Sequence, residues 1–326
     1  MILSVDSQAL LLLCSHLGLP PDPDHAPLTL REWNLLAGKL HAASLHPGDL
    51  LGYSVADLQE RFGYTDSESI RIVRLLERAG ALAIALERLE NIGVRPLTRA
   101  EADYPLRYRL RLKEHAPAVL FYAGEKALLG QPGIAVVGSR HLDQAGQECA
   151  VFVGNACGLS GLVLYSGGAK GVDTLSMNAA LETRGTAVGI LGDSLERAIR
   201  LPESRAALNR GDLCLATPYS PDAGFSVGAA MGRNRLIYAL ADYAIVVASD
   251  KEKGGTWSGA TQAIKAGWAP LFVLEHPAMP EGNRLLLQRG GLPFPHPFPV
   301  PYSKLRDWLS TQATQTQSKI EQLGLF

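Results

Sequence analysis

Three short segments of the sequence combine glycine with hydroxyl or cationic side chains, and each follows an apolar run typical of a buried strand. They are Gly138-Ser139-Arg140, residues 166–171 (SGGAKG) and residues 253–259 (KGGTWSG). Glycine allows an anion to approach the backbone, and the helix expected after each segment begins with free N–H groups. We therefore predict a binding site for a phosphate-bearing ligand, to which Arg140 and Lys170 add positive charge.

A fourth segment, residues 231–242 (MGRNRLIYALAD), places Arg233 and Arg235 on either side of Asn234 at the start of a predicted helix. Two guanidinium groups at a helix start suit a phosphate backbone, and a solvated helix start with one salt bridge is the alternative. The residues predicted to bind the ligand are Gly138, Ser139, Arg140, Ser166, Gly167, Gly168, Lys170, Arg233, Asn234, Arg235, Gly255, Thr256, Trp257 and Ser258.

Two aromatic residues lie in or beside these segments. Trp257 is a candidate for stacking on a ring of the ligand, because it lies in a glycine-rich loop, and a core position is the alternative. Tyr165 ends an apolar strand and is predicted to belong to the core. The sequence contains neither GxGxxG nor GxxxxGK[ST], so the ordinary dinucleotide and P-loop interpretations lose their main support.

The elements that position these segments form a regular pattern from residue 134 onward. Six apolar runs, IAVV, LVLY, TAVGIL, LCLA, AIVVA and PLFVL, alternate with segments of helical length. This alternation predicts an α/β fold, a Rossmann-like, doubly wound and mainly parallel sheet covered on both faces. Ligands of such sheets bind at the carboxyl ends of the strands, which is where the glycine-rich segments lie.

The pattern divides the chain into three predicted parts. Residues 1–95 read as a small helical domain, in which Ser54 is a predicted N-cap. Residues 96–292 form the Rossmann-like domain, and alternating cationic and apolar residues at 107–113 suggest a basic strand face or a solvated edge. Residues 293–326 form a proline-rich linker, expected to continue neither sheet nor helix, and a polar tail.

Composition limits the function. The chain has 326 residues and a net charge of −1, so nucleic acid would have to bind through a local basic patch. Four cysteines without CxxC spacing and eight scattered histidines predict no metal site, and we predict no cofactor. With no apolar run long enough to cross a bilayer and no basic flank at the N-terminus, we expect a cytoplasmic protein without membrane association.

Taken in order, VGSR, SGGAKGVDTLSMNAALETRGTAVGIL and GRNRLIYALADYAIVVAS resemble the DNA-processing protein A (DprA, or Smf) family, and the resemblance spans about residues 90–280. It implies single-stranded DNA binding, homodimerisation and delivery of DNA to the RecA recombinase, in transformation, recombination or a related defence pathway. Carried over by motif, the residues lining the DNA pocket are Ser139, Arg140, Ser166, Gly167, Lys170, Arg233, Asn234 and Arg235. Asp173 is expected to orient its loop by accepting backbone N–H groups.

The competing class is an enzyme that binds a nucleotide and hydrolyses its N-glycosidic bond, because GGTWSGA resembles part of the PGGxGTxxE motif of LOG-type phosphoribohydrolases. Such cleavage needs a carboxylate beside the sugar. Residues 253–274 contain neither Asp nor Glu, and no catalytic residue is predicted. We therefore favour a binding protein over an enzyme.

The last five residues, QLGLF, resemble the pentapeptide that binds the bacterial sliding clamp. Gln322 would set the register, while Leu323, Leu325 and Phe326 would fill an apolar pocket. The alternative is that this end of the chain packs back on the protein or frays.

Overall fold

The computed structural model describes residues 3–19 and 26–323, with side chains described as far as residue 316. The chain divides into two compact units. The first comprises Met1–Ala123 and Thr217–Ala223, and the second comprises Gly124–Ala216 and Gly224–Phe326. The domain boundaries drawn above at residues 95 and 292 stay predictions.

The first unit is mainly helical. Its helices are α1 (Val5–Cys14), α2 (Leu30–Ala42), α3 (Val55–Phe62), α4 (Asp66–Leu76), α5 (Ala79–Asn91) and α6 (Leu106–Leu112). Strands β1 (Val94–Thr98) and β2 (Val119–Gly124) form an antiparallel pair. Helices α2, α3 and α4 each begin with a capping box, in which Ser or Thr and an acidic residue satisfy each other's backbone N–H groups. The predicted Ser54 N-cap is confirmed.

The basic strand suggested at residues 107–113 is wrong, because this segment forms helix α6. Tyr108 and Leu112, four residues apart, are both buried on one face of the helix, whereas Leu106 and Leu110 stay exposed. Alternation with period two and helical spacing with period four coincide at these positions, so the pattern fits both structures.

The second unit is built on a parallel sheet. Its strands are β3 (Gly133–Val137), β4 (Val163–Ser166), β5 (Thr186–Ile190), β6 (Leu213–Thr217), β7 (Tyr243–Val246), β8 (Leu271–Glu275) and β9 (Leu292–Pro295). Its helices are α7 (Gln144–Ser160), α8 (Val172–Glu182), α9 (Leu195–Ala198), α10 (Pro202–Arg210), α11 (Val227–Leu240), α12 (Gly254–Ala266), α13 (Glu281–Gln288) and α14 (Leu305–Leu323).

The spatial order of these strands is β6-β5-β4-β3-β7-β8-β9, and every neighbouring pair is parallel. The chain builds the sheet outward from β3 to β6, returns to β7 on the other side of β3, and continues to β9. The predicted α/β, Rossmann-like fold is confirmed, and the six apolar runs are strands β3 to β8. The order reverses between β3 and β7, the position at which such sheets bind ligands.

The proline-rich segment was expected to end the sheet, and this expectation is wrong. Residues Leu292–Pro295 form β9, which pairs with β8 as the last strand in the order. Proline is tolerated there because an edge strand need not donate all its N–H groups. Phe294, between the two prolines of β9, is fully buried against Phe152, Phe298 and Trp308.

The polar segment after residue 311 was expected to be a tail, but it continues helix α14. Leu305 and Leu309 bury the start of this helix, which runs on to Leu323. Among the described residues, no helix combines the length and the apolar character needed to cross a membrane.

Candidate functional site

A cleft lies beyond the carboxyl end of β3, where the order of the sheet reverses. Its volume is about 310 Å³, which is within the range of small-ligand sites. Its lining includes Gly138, Arg140, Ala169, Asp173, Phe225, Val227, Met231, Arg233, Asn234, Gly255 and Thr256. The structure thus brings together residues from all four segments that the sequence analysis selected.

The loops after β3 and β4 cross in close contact. Gly171 has φ +93°, and a Cβ atom at this position would lie 2.6 Å from the Ser139 carbonyl oxygen and 2.7 Å from Arg140 Cα. Only glycine fits both the backbone conformation and this approach. The Ser139 N–H donates to the Ala248 carbonyl oxygen at 2.9 Å, beyond β7. Arg140 is therefore presented on a loop that two neighbouring segments hold in place.

A buried ion pair supports the loop after β4. Asp173 accepts the Ala169 N–H at 3.3 Å, and its carboxylate lies 4.0 Å from Nη2 of Arg233. Burial raises the pKa of the Asp173 carboxyl above its ordinary value, and the Arg233 charge opposes that shift. The prediction that Asp173 orients its loop is confirmed.

Arg233 differs from the prediction in its position and exposure. Helix α11 begins at Val227, four residues before the predicted start, because Ser226 is its N-cap and accepts the Ala229 N–H. Arg233 therefore lies in the second turn and is only 6% exposed. Its guanidinium lies against Gly167, where a Cβ atom would be 1.5 Å from Nη1. Arg233 forms part of the floor of the cleft and holds the Gly167 loop.

Two other predicted ligand contacts are buried. Ser166 is fully buried, and its Oγ donates to the Val136 carbonyl oxygen at 2.7 Å, which ties β4 to β3. Trp257 is 7% exposed and lies on an apolar stripe of α12 with Ala260 and Ala263. In the structure, the side chains of Ser166 and Trp257 therefore belong to the core, and ligand contact by either of them stays a prediction. The core position predicted for Tyr165 is confirmed by its complete burial.

Two accessible positive charges lie on the two crossing loops. Arg140 and Lys170 are both exposed. The Arg140 guanidinium carbon is 5.6 Å from the ring centroid of Phe225, a contact of cation–π type. Phe225 is 55% exposed, and it lies beside the cation at the rim of the cleft.

Sequence reasoning missed Phe225 as a functional residue. The available signal was an aromatic residue in a segment otherwise composed of small residues, AGFSVGAAMG, just before a serine N-cap. Val227 and Met231 on α11 are also exposed and line the same cleft. Together they form an apolar rim next to Arg140.

The amino end of α12 supplies a second polar part of the cleft. Gly254 has φ +82°, and the N-cap residue Lys253 makes no side-chain capping bond within the described part of the chain. A Cβ atom on Gly255 would lie 2.6 Å from Nδ2 of Asn234, so this amide lies against the glycine. Backbone N–H groups at the start of α12 are therefore available to an anion in the cleft.

Not every predicted residue belongs to the cleft. Among the described residues, Arg235 and Ser258 are absent from its lining, while Ser139, Gly167, Gly168 and Lys170 lie on the loops that border it. In the clamp motif, Gln322 and Leu323 end α14 without described side chains, and Leu325 and Phe326 lie outside the described residues. Within the described part, no group of three or more His, Cys, Asp or Glu side chains is arranged to hold a metal ion.

Similarity to known proteins covers the part of the chain that contains the cleft. A model of the family described as DNA recombination-mediator protein A matches residues 95–292. DNA processing protein DprA of Streptococcus pneumoniae is 32% identical over 156 residues, which cover 47% of this chain and 54% of that protein. The chain thus spans about half the length of the curated relatives that it matches.

Two solved structures share the fold. The X-ray structure of DprA from Streptococcus pneumoniae has a TM-score of 0.66 and 22% identity, covering 90% of this chain and 95% of that one. DNA processing protein A from Helicobacter pylori, solved for its single-stranded DNA binding mode, has a TM-score of 0.54 and 23% identity. That match covers 68% of this chain and 96% of the other.

Proposed function

Because this chain belongs to the DNA recombination-mediator protein A family, we propose that its cleft binds single-stranded DNA. The observation that carries the proposal is the placement of Arg140 beside the exposed ring of Phe225 at the rim of one glycine-lined cleft. A single strand offers both a phosphate backbone and unpaired bases, and this rim has a partner for each.

The chemistry of the rim favours a single strand over a duplex. Proteins that bind single strands combine cations along the backbone with aromatic rings on which bases stack. In a duplex, the flat faces of the bases are covered by their neighbours, so Phe225, Val227 and Met231 would gain little. The relative from Helicobacter pylori binds single-stranded DNA, which supports the same assignment here.

Roles within the cleft follow from exposure and contacts. Arg140, Lys170 and the backbone N–H groups at the start of α12 would bind phosphates, and Phe225 would stack on a base. Asp173 and Arg233 in the floor of the cleft, and Ser166 behind it, would hold the loops that carry this surface. Fewer residues are therefore proposed to contact DNA directly than the sequence analysis selected.

A competition experiment tests the proposal. Fluorescence anisotropy with labelled oligo-dT should report binding that unlabelled oligo-dT competes away, whereas duplex DNA of the same length and thymidine monophosphate compete at least about tenfold less well. Equal competition by the mononucleotide would instead indicate a free-nucleotide site, for which the cleft volume of about 310 Å³ is sufficient. Release of a free base from that nucleotide would then identify an N-glycosidic hydrolase.

The pathway is also a proposal, taken from the family resemblance. The protein would act as a homodimer and deliver single-stranded DNA to RecA for recombination, transformation or a related defence process. Light scattering on the purified chain tests the dimer. Binding of immobilised RecA, with and without oligo-dT, tests the delivery step, and its absence in both conditions would remove RecA from the account.

The final pentapeptide is proposed to bind the sliding clamp. Deleting residues 322–326 should abolish binding to purified clamp while leaving the affinity for oligo-dT unchanged, because these residues are far along the chain from the cleft segments. Clamp binding that survives the deletion contradicts this proposal.

A further inference from the structure

Asn283, on helix α13, is a fully buried polar residue outside the glycine-rich segments. Its Oδ1 accepts the Ser249 N–H at 2.8 Å, and its Nδ2 donates to the carbonyl oxygens of Val247 and Leu274, each at 2.9 Å. The ladder between β7 and β8 ends at Val246 and Val273. The side chain therefore extends the hydrogen bonding between these strands just past the end of their ladder.

The residue before Asn283 brings α13 directly onto the following loop. A Cβ atom on Gly282 would lie 2.2 Å from the Ser249 carbonyl oxygen and 2.6 Å from that of Asp250. The close approach requires glycine, since any side chain would displace the loop backbone. The start of α13 and residues 249–250 are thus in contact without intervening side chains.

Charged contacts continue this attachment along the loop. Lys251 Nζ lies 2.6 Å from Glu281 Oε1, and Arg289 Nη2 lies 3.6 Å from Glu252 Oε1. The Arg289 guanidinium also covers the Trp257 ring at 4.9 Å, within the first turn of α12. Both ends of α13 therefore contact the segment that leads into α12.

That segment decides where the amino end of α12 lies. Residues 247–253 connect β7 to Gly254, and Gly254, Gly255 and Thr256 line the cleft. We infer that Asn283 is a positioning residue for the ligand site, which keeps the N–H groups of α12 in the geometry that binds an anion. The inference rests on the proposed DNA-binding cleft and extends it to a helix that has no ligand contact of its own.

The expected effect of a substitution follows from the three hydrogen bonds that the Asn283 side-chain amide makes. In Asn283→Ala, the Ser249 N–H and two buried carbonyl oxygens lose their partner, so the loop should open to recover hydrogen bonds with water. Amide hydrogen exchange at residues 249–256 should accelerate at least about tenfold, while exchange in β3 and β4 stays close to that of the wild type. Affinity for oligo-dT should fall about tenfold, the effect of one helix terminus on an anion.

A matched control separates positioning from general loss of stability. Leu309 is fully buried on α14, so Leu309→Ala lowers the Tm without touching residues 249–256. This variant should retain slow exchange at residues 249–256 and wild-type affinity for oligo-dT. If Asn283→Ala does not fold, Arg289→Ala removes the contacts of a half-exposed side chain and should produce the same two changes on a smaller scale.

Two results overturn the inference. Unchanged exchange at residues 249–256 in the folded variants means that α13 does not hold the loop. Faster exchange with wild-type affinity for oligo-dT means that the loop does not position the ligand. Failure of the wild type to bind oligo-dT at all is a different result, because it counts against the proposed function, while the exchange measurement needs no DNA.

Discussion

The proposed binding surface around Phe225 and Arg140 is distinguished by exposure more than by residue type. Arg233 and Trp257 have suitable side chains for DNA, but Trp257 is buried in the core, and Arg233 lies in the floor of the cleft, paired with Asp173. Arg140 and Phe225 lie at the rim and contact each other. A nucleotide bound there meets a cation and an aromatic face at the same time.

Phe225→Ala should weaken binding of oligo-dT about five- to hundredfold, because base stacking on an aromatic side chain contributes about 1–3 kcal/mol. Phe225→Trp should keep most of the affinity, since indole offers a larger face. The measurement is fluorescence anisotropy at one salt concentration. Leu201→Ala, which removes an exposed leucine at the N-cap position before α10, is the control, and an equal loss in both variants would contradict a stacking role for Phe225.

Substituting two glycines that have nearly the same φ distinguishes the cost of backbone strain from the cost of displacing a neighbouring loop. Gly171 has φ +93° and touches the Ser139 loop, whereas Gly52 has φ +95° and, among the described residues, no heavy atom within 4 Å of an added Cβ. Gly52→Ala should lower stability by about 1–2 kcal/mol from strain alone. Gly171→Ala should cost more and also weaken oligo-dT binding, as followed by urea unfolding and anisotropy.

If the two glycine variants lose equal stability and Gly171→Ala binds oligo-dT like the wild type, then the crossing of the two loops does not shape the site. The comparison is informative because both substitutions force the same unfavourable φ, and only one of them displaces a neighbouring loop.

At the scale of elements, the sequence predicts the strands of the parallel sheet more accurately than the starts of the helices. The six apolar runs predicted strands β3 to β8, because a sheet covered on both faces needs uninterrupted apolar strands. Helix α11 begins at Val227 and not at Met231. The sequence did not indicate this earlier start, because the residues that follow the Ser226 cap show no strong helical periodicity. That shift by one turn moves Arg233 from the predicted helix start into the second turn, where it lies in the floor of the cleft.

Tertiary contacts decided the other elements that the sequence did not predict. Strand β9 exists because Phe294 is buried among aromatic side chains from α7 and α14, which no local pattern of prolines indicates. Similarly, Asn283 is remote in sequence from the glycine-rich segments, and only the folded chain brings its amide to Ser249.

The helical unit contains an acid-sensitive link between two elements. The hydrogen bond from Arg71 on α4 is the main cause that lowers the pKa of Glu32 on α2 to about 2, and capping contacts with Thr29 add to it. A carboxyl whose pKa is lowered by folding stabilises the protein above its unfolded pKa, and this contribution disappears as the pH falls through the folded value. The link should therefore weaken between about pH 4.5 and pH 2.

Glu32→Gln tests this link. The variant should be less stable than the wild type at pH 6, and the difference should shrink as the pH is lowered toward 2, because the wild-type carboxyl becomes neutral as well. Urea unfolding across this pH range measures the difference. A gap that stays constant with pH would show that Glu32 stabilises the unit through packing rather than through its charge.

At the scale of the whole molecule, a chain with a net charge of −1 binds a polyanion only through a local arrangement of charges. In the proposed site, this arrangement lies on the loops after β3 and β4, and α12 completes it. Phosphate contacts release counterions, so the affinity should fall as salt is raised. Each lost contact should make that dependence shallower.

The most direct test is a salt series on oligo-dT binding, comparing the wild type with the double variant Arg140→Ala, Lys170→Ala. If DNA binds in this cleft, the double variant should bind more weakly, with a log–log salt slope shallower by about 0.7 for each lost phosphate contact. The matched double variant Arg200→Ala, Arg306→Ala removes two exposed arginines of the same unit and should leave the slope unchanged. An unchanged slope in the Arg140 and Lys170 variant, with wild-type affinity, would contradict DNA binding in this cleft.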